Sequence, residues 1–286
     1  MIASAPGKII LFGEHAVVYG KHALVSAINL RCKAEVKKSG EIRIHSKFGT
    51  TGLDFEVHPY ISFAIKRFSE LRDLKGVEVK IESDIPPGSG LGSSAAVTVS
   101  TLMALNEEFN AGLSREEICE IARKVEIDVQ GRASGIDPFI STFGGSWLFP
   151  DMEKFLVPYS FFVIYVGEKS TSEMVSKVAK LKEKYPEVME GIFNAIDSIS
   201  IEAYRRINDP KSVKDLISIN QSLLRGIGVS TPEIDYLISK LEEEGIVAKI
   251  TGAGGGGCIF GIYEGKIPKN AFIIKPELEG AKIEDT

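Results

Sequence analysis

The sequence is poor in the residues that build covalent and metal frameworks. Its 286 residues include three cysteines, Cys32, Cys119 and Cys258, and four histidines. No Cys-x-x-Cys pair or Cys/His cluster occurs, so neither a disulfide scaffold nor a structural zinc site is indicated. No apolar run approaches the ~20 residues that a membrane-spanning helix needs. The first eight residues, interrupted by Pro6 and Gly7, do not read as a secretory signal. These absences point to a reducing cytoplasm, with no membrane partner. A net charge of −5 also argues against a general nucleic-acid surface. Any anionic ligand must therefore be held locally, by backbone amides, a few cations or a metal.

Glycine, in contrast, is concentrated at particular places. Residues 86–97 run Pro-Pro-Gly-Ser-Gly-Leu-Gly-Ser-Ser-Ala-Ala-Val, after the alternating stretch Val77–Ile81 and before a helical pattern over Ser93–Phe109. Strand, glycine loop and helix N-terminus together make an anion site: free N–H groups, a positive helix end and few Cβ atoms in the way. The alternative is a tight turn that only needs flexible residues. Known loop types are excluded by spacing. Gly7-Lys8 is followed by Ile9 and Gly20-Lys21 by His22, so neither completes a Walker A loop, and Ser93 stands where the dinucleotide fingerprint needs its third glycine. Gly92-Ser93-Ser94-Ala95-Ala96 falls one glycine short of a nucleophile elbow, but no histidine follows Ser94, as the serine-hydrolase order requires.

Two other stretches carry candidate chemistry. Ile2–Phe12 reads as a strand interrupted at Pro6-Gly7, and Gly13–Gly20 as a hairpin or sharp turn. Lys8, Glu14 and His15 lie within this otherwise apolar segment, either as site residues or as structural ones. Gly252–Gly257 holds five glycines between the strand patterns Val247–Thr251 and Cys258–Tyr263, more than a hairpin requires.

Elsewhere the periodicity predicts strands at Ala23–Leu30, Lys33–Lys37, Glu41–His45, Trp147–Phe149, Phe161–Val166 and Ala271–Ile274. It predicts helices at His58–Leu74, from the Ser114 capping box to about Ile127, and at Thr171–Lys184, Pro186–Arg206, Pro210–Arg225 and Pro232–Glu244. The last of these takes a capping box from Ser230 and Glu233. Gly131–Gly145 reads as irregular, with Asp137 held extended by Pro138. Glu126 and Asp128, late in their helix, oppose its dipole unless they have a partner. The chain divides at about residue 155, into 1–155 and 156–286.

Three segments together resemble one family. Pro6–Gly20, Pro86–Ala96 and Lys249–Cys258 are similar, in order and spacing, to the three motifs of the GHMP kinase superfamily; the run Gly-Glu-His-Ala-Val-Val-Tyr-Gly (13–20) points to its mevalonate kinase family. The resemblance implies an α+β, two-domain fold: a ribosomal protein S5 domain 2-like N-terminal domain that binds ATP, and a ferredoxin-like C-terminal domain. It implies ATP- and Mg²⁺-dependent phosphorylation of the C5 hydroxyl of mevalonate by a cytoplasmic homodimer.

By matching position, the resemblance makes Asp137 the general base, with Lys8 beside it. Pro87, Gly88, Ser89, Gly90, Leu91, Gly92, Ser93, Ser94 and Ala95 would bind ATP. Ser94 and Glu126 would hold Mg²⁺, and Glu14, His15, Thr171 and Ala253 would meet mevalonate. Pro138 departs from the family pattern. The same fold with another acceptor (phosphomevalonate, homoserine or a sugar), or a nucleotide sensor without turnover, are the alternatives. The intact set Lys8, Ser94, Glu126 and Asp137 argues against a sensor.

Overall fold

The computed structural model describes residues 1–131, 134–168 and 171–284, without the side chain of Thr171. In chain order the strands are β1 (Ile2–Phe12), β2 (Ala23–Lys38), β3 (Ile42–Ser46), β4 (Gly49–Thr51), β5 (Val77–Ser83), β6 (Ser146–Phe149), β7 (Glu153–Phe155), β8 (Phe161–Gly167), β9 (Lys249–Thr251), β10 (Gly257–Ile262), β11 (Ala271–Ile274) and β12 (Lys282–Ile283). The helices are α1 (Pro59–Ser69), α2 (Ser93–Glu108), α3 (Arg115–Gln130), α4 (Ile136–Phe143), α5 (Thr171–Lys184), α6 (Pro186–Arg205), α7 (Pro210–Gly226) and α8 (Pro232–Glu243).

Two sheets result. The larger has the order β12-β1-β2-β5-β3-β4, with β6 added to β2 and β7 to β6; the smaller runs β11-β8-β10-β9. The 155/156 division falls between β7 and β8, and the tail strand β12 returns to pair with β1. α2 lies across β1 and β2 and packs against α1, α3 and α4. Its apolar residues face nearly all round, as a helix enclosed on several sides requires: Ala96, Val99, Leu102, Ala104 and Leu105 are fully buried. This central helix brings the glycine loop that precedes it to the heart of the molecule.

Three expectations need correction. The strands expected at Ala23–Leu30 and Lys33–Lys37 are one strand, β2. Its pairing to β1 shifts register between Pro6 (opposite Arg31) and Gly7 (opposite Ile28). The two extra residues, Asn29 and Leu30, bulge out of the pairing, and this exposed or half-buried stretch makes one strand look like two. Leu24, Ile28, Cys32, Ala34 and Val36 still bury in one core. Of the two forms expected for 13–20, the turn is the observed one, a short 3₁₀ turn at Ala16–Tyr19.

Within the irregular segment, 136–143 form α4, and Asp137 lies in its first turn. Pro138 is tolerated there because first-turn N–H groups have no intrahelical acceptor. Ile136 and Ile140 then bury against Ala23, Val25 and Ala27 of β2. Finally, α8 is capped by Thr231, which accepts from Ile234 N, because the Ser230 hydroxyl is bound to Asp235 (2.7 Å). The capping box expected at Ser114 and Glu117 is present.

Candidate active site

A cavity of about 1350 Å³ lies between the glycine loop, the end of β1, α3, α4 and the Gly252–Ala253 turn. The loop is held against β1 from below. Lys8 N donates to Leu91 O (2.8 Å). Gly92 opens α2 in the left-handed region (φ 77°), and a Cβ there would stand 2.8 Å from Lys8 Cγ. Only glycine fits this approach. Pro87, Gly88, Ser89, Gly90, Gly92, Ser93 and Ser94 border the cavity; Leu91 and Ala95 are buried beneath it.

Beneath the loop, Lys8 Nζ lies 3.2 Å from Asp137 Oδ2. The lysine is almost wholly buried, while the Asp137 side chain keeps 23% of its exposure and borders the cavity. β1 supplies the cation and the first turn of α4 the carboxylate. Glu126, on α3, completes a group of three charges. Burial, and after it the charge of Asp137, pushes the Glu126 carboxyl up to about 8, with Lys8 opposing. Its Oε2 is buried and has no hydrogen-bond partner. Asp128, two residues on, faces elsewhere and is held by Arg67 through two bonds of 2.7 and 2.8 Å.

A partnerless buried carboxyl oxygen and a serine hydroxyl bordering the same cavity are a donor pair suited to a hard cation. Mg²⁺ commonly takes one or two protein oxygens and completes its shell with phosphate oxygens and water. Ser94 and Glu126, which both border the cavity, fit that demand. Among the described residues no cluster of three or more His, Cys, Asp or Glu side chains could hold a metal by itself.

The family models described as "GHMP kinases N terminal domain" and "GHMP kinases C terminal" match residues 59–145 and 200–275. Over 285 residues, covering all of both chains, the sequence is 62% identical to mevalonate kinase of Archaeoglobus fulgidus. This chain belongs to the mevalonate kinase family of the GHMP kinases. It is also 40% identical to the Thermococcus sibiricus enzyme, covering 100% of this chain and 98% of that one. The crystal structure of Methanococcus jannaschii mevalonate kinase superposes with a TM-score of 0.84 at 30% identity, covering 100% and 98%. The expected two-domain GHMP kinase fold, α+β with two sheets, is the observed one.

Against that family background, the other residues singled out in the sequence divide into two groups. His15 and Ala253 border the cavity together: His15 Nε2 donates to Ala253 O (2.9 Å). Glu14 also borders it, but its side chain is fully buried and ion-paired to Lys249. Thr171 opens α5, and its side chain lies outside the described residues.

Sequence reasoning missed three participants. Tyr60, at the start of α1, accepts from Gln130 Nε2 (2.7 Å) and lies close to the Ser94 side chain, and burial pushes its phenol upward. No local pattern marks it. Lys249 and Asn220 hold Glu14, and desolvation pushes the Lys249 ammonium downward, with Glu14 opposing. A lysine heading an otherwise apolar strand was the available signal for Lys249.

Proposed function

We propose the following division of labour for ATP-dependent phosphorylation of the mevalonate C5 hydroxyl, the reaction of this family. Asp137 accepts the hydroxyl proton as the oxygen attacks the γ-phosphorus; the O–P bond forms, the bond from Pγ to the bridging oxygen breaks, and ADP leaves. Lys8 stabilises the charge that develops on the attacking oxygen. The amides of residues 87–95 and the N-terminus of α2 receive the phosphates. Ser94 and Glu126 hold Mg²⁺, which when bound supplies charge neutralisation across the phosphates. Little covalent work is asked of the protein; positioning and local charge carry the rate.

The observation that carries this reading is the Lys8–Asp137 pair, set at the cavity wall directly beneath the loop that Lys8 itself supports. His15, Ala253 and Thr171 contact mevalonate in this reading. The chain works as two units, 1–155 and 156–286, in a cytoplasmic homodimer. The dimer rests on the family resemblance, and the location on three cysteines of which none forms a disulfide. Sedimentation would test the dimer.

A coupled ADP-release assay across mevalonate, phosphomevalonate, homoserine and galactose tests the acceptor. Turnover is expected with mevalonate, ATP and Mg²⁺. No turnover of mevalonate, or faster turnover of another acceptor, would overturn the reading.

A further inference from the structure

We infer that Lys249 is a positioning residue: it fixes the Glu14–His15 turn in the shape that receives the acceptor. This rests on the mevalonate reading above. β9 and the turn after it meet the first motif through alternate residues. Lys249 Nζ donates to Leu11 O (3.1 Å), to Ile250 O (2.8 Å) and to Glu14 Oε1. Thr251 Oγ1 accepts from Ile10 N and donates to Ile10 O, both at 3.1 Å. Ala253 O accepts from His15 Nε2. Residues 249, 251 and 253 thus fasten residues 14, 10 and 15 in turn.

Lys249 has three N–H donors, and each has an acceptor. The second oxygen of Glu14 accepts from Asn220 Nδ2 (3.2 Å) on α7. Both charged side chains have no solvent exposure. The Glu14 carboxylate is therefore committed to Lys249 and Asn220, and acts on the acceptor through its neighbour. That neighbour, His15, holds a backbone conformation of φ 60° and ψ −43°, which residues with a Cβ seldom adopt. Surrounding contacts must keep it there, and Lys249 anchors the residue immediately before it. A buried ion pair is a poor source of net stability, since an apolar pair of the same shape serves as well or better. What the pair supplies is direction: the ammonium fixes a carboxylate and two carbonyls at once.

The test is a set of four variants: Glu14→Gln, Lys249→Met, the double variant and Asn220→Leu. Each is measured for Tm, kcat and KM for mevalonate and for ATP. Wild-type turnover of mevalonate, measured first, tests the acceptor reading on its own. Each single variant of the pair should lower Tm by more than about 5 °C. It should also raise KM for mevalonate about tenfold while KM for ATP stays within about twofold.

The double variant, with no unpaired charge, should regain Tm. It should also exceed Glu14→Gln in kcat/KM for mevalonate by about threefold or more. Asn220→Leu should shift KM for mevalonate in the same direction by a smaller factor. A double variant no more active than Glu14→Gln would mean that Glu14 itself meets the acceptor, and would overturn the proposal. So would variants that lose Tm but keep the wild-type KM for mevalonate. If Lys249→Met does not fold, Glu14→Gln against the double variant still decides; if neither folds, Asn220→Leu with a wild-type KM overturns it.

Discussion

Among the described residues, two buried lysine–carboxylate pairs involve β1 and the turn that follows it, Lys8 with Asp137 and Lys249 with Glu14, and they differ in one respect. Lys8 is paired with Asp137, whose side chain keeps 23% of its exposure on the cavity wall. Lys249 is paired with Glu14, and neither has any. The first pair leaves a carboxylate edge free to take a proton. The second has its ammonium filled by two carbonyls and a carboxylate, so nothing remains to offer a ligand. On the reading proposed above, the same two functional groups make a reaction centre in one place and a structural anchor in the other. Access to the cavity, not charge, separates the two roles.

Mutation of the two carboxylates should separate them most sharply. Asp137→Asn is expected to lower kcat by on the order of 10²–10⁴, the loss typical of a missing general base, with KM for ATP nearly unchanged. Steady-state kinetics decides, and a near-wild-type kcat would remove Asp137 from the base role. Glu14→Gln should instead act first on folding. It strands Lys249 in the interior, at about 3–5 kcal/mol of unfolding free energy, measurable by denaturant titration.

The lysines should mirror this division. Lys8→Met is expected to lower kcat by roughly 10² or more through lost charge stabilisation. Its stability loss should be well below that of Lys249→Met, because Asp137 can reach water and Glu14 cannot. Equal losses in denaturant titrations would collapse the comparison. The smallest effect is expected at the third charge. Glu126→Gln should raise the Mg²⁺ concentration for half-maximal rate about 10–100-fold, the range seen when support of a metal site is removed. A Mg²⁺ titration of activity reads this directly, and an unchanged midpoint would take Glu126 out of the metal site.

Much of this was legible in the residues. The helices from Thr171 onward were placed within a residue or two because proline, acidic caps and helical spacing agree there. The glycine loop and the helix behind it were legible for the same reason: strand, loop and helix signals follow one another without conflict. The local signal failed at β2, where a two-residue bulge at Asn29-Leu30 interrupts the pairing without ending the strand. It failed again at α4, where Asp137-Pro138 reads as extended and burial of Ile136 and Ile140 decides for helix. Tyr60 was invisible because its contact with Ser94 exists only when α1 and α2 are packed together.

Glu14 shows the limit most clearly. It stands beside His15 in the sequence, and resemblance assigned both to the acceptor. Their side chains diverge in space: His15 turns to Ala253 at the cavity, Glu14 to Lys249 in the interior. The sequence alone determined the family, the order of most elements, the glycine loop ahead of α2 and the residue types that line the cavity. Those follow from local spacing and steric demands that short segments carry in themselves. Tertiary structure alone decided which of two similar ion pairs faces the cavity. Burial is set by what distant segments pack against, and residues 8, 14, 137 and 249 meet only once both sheets are in place.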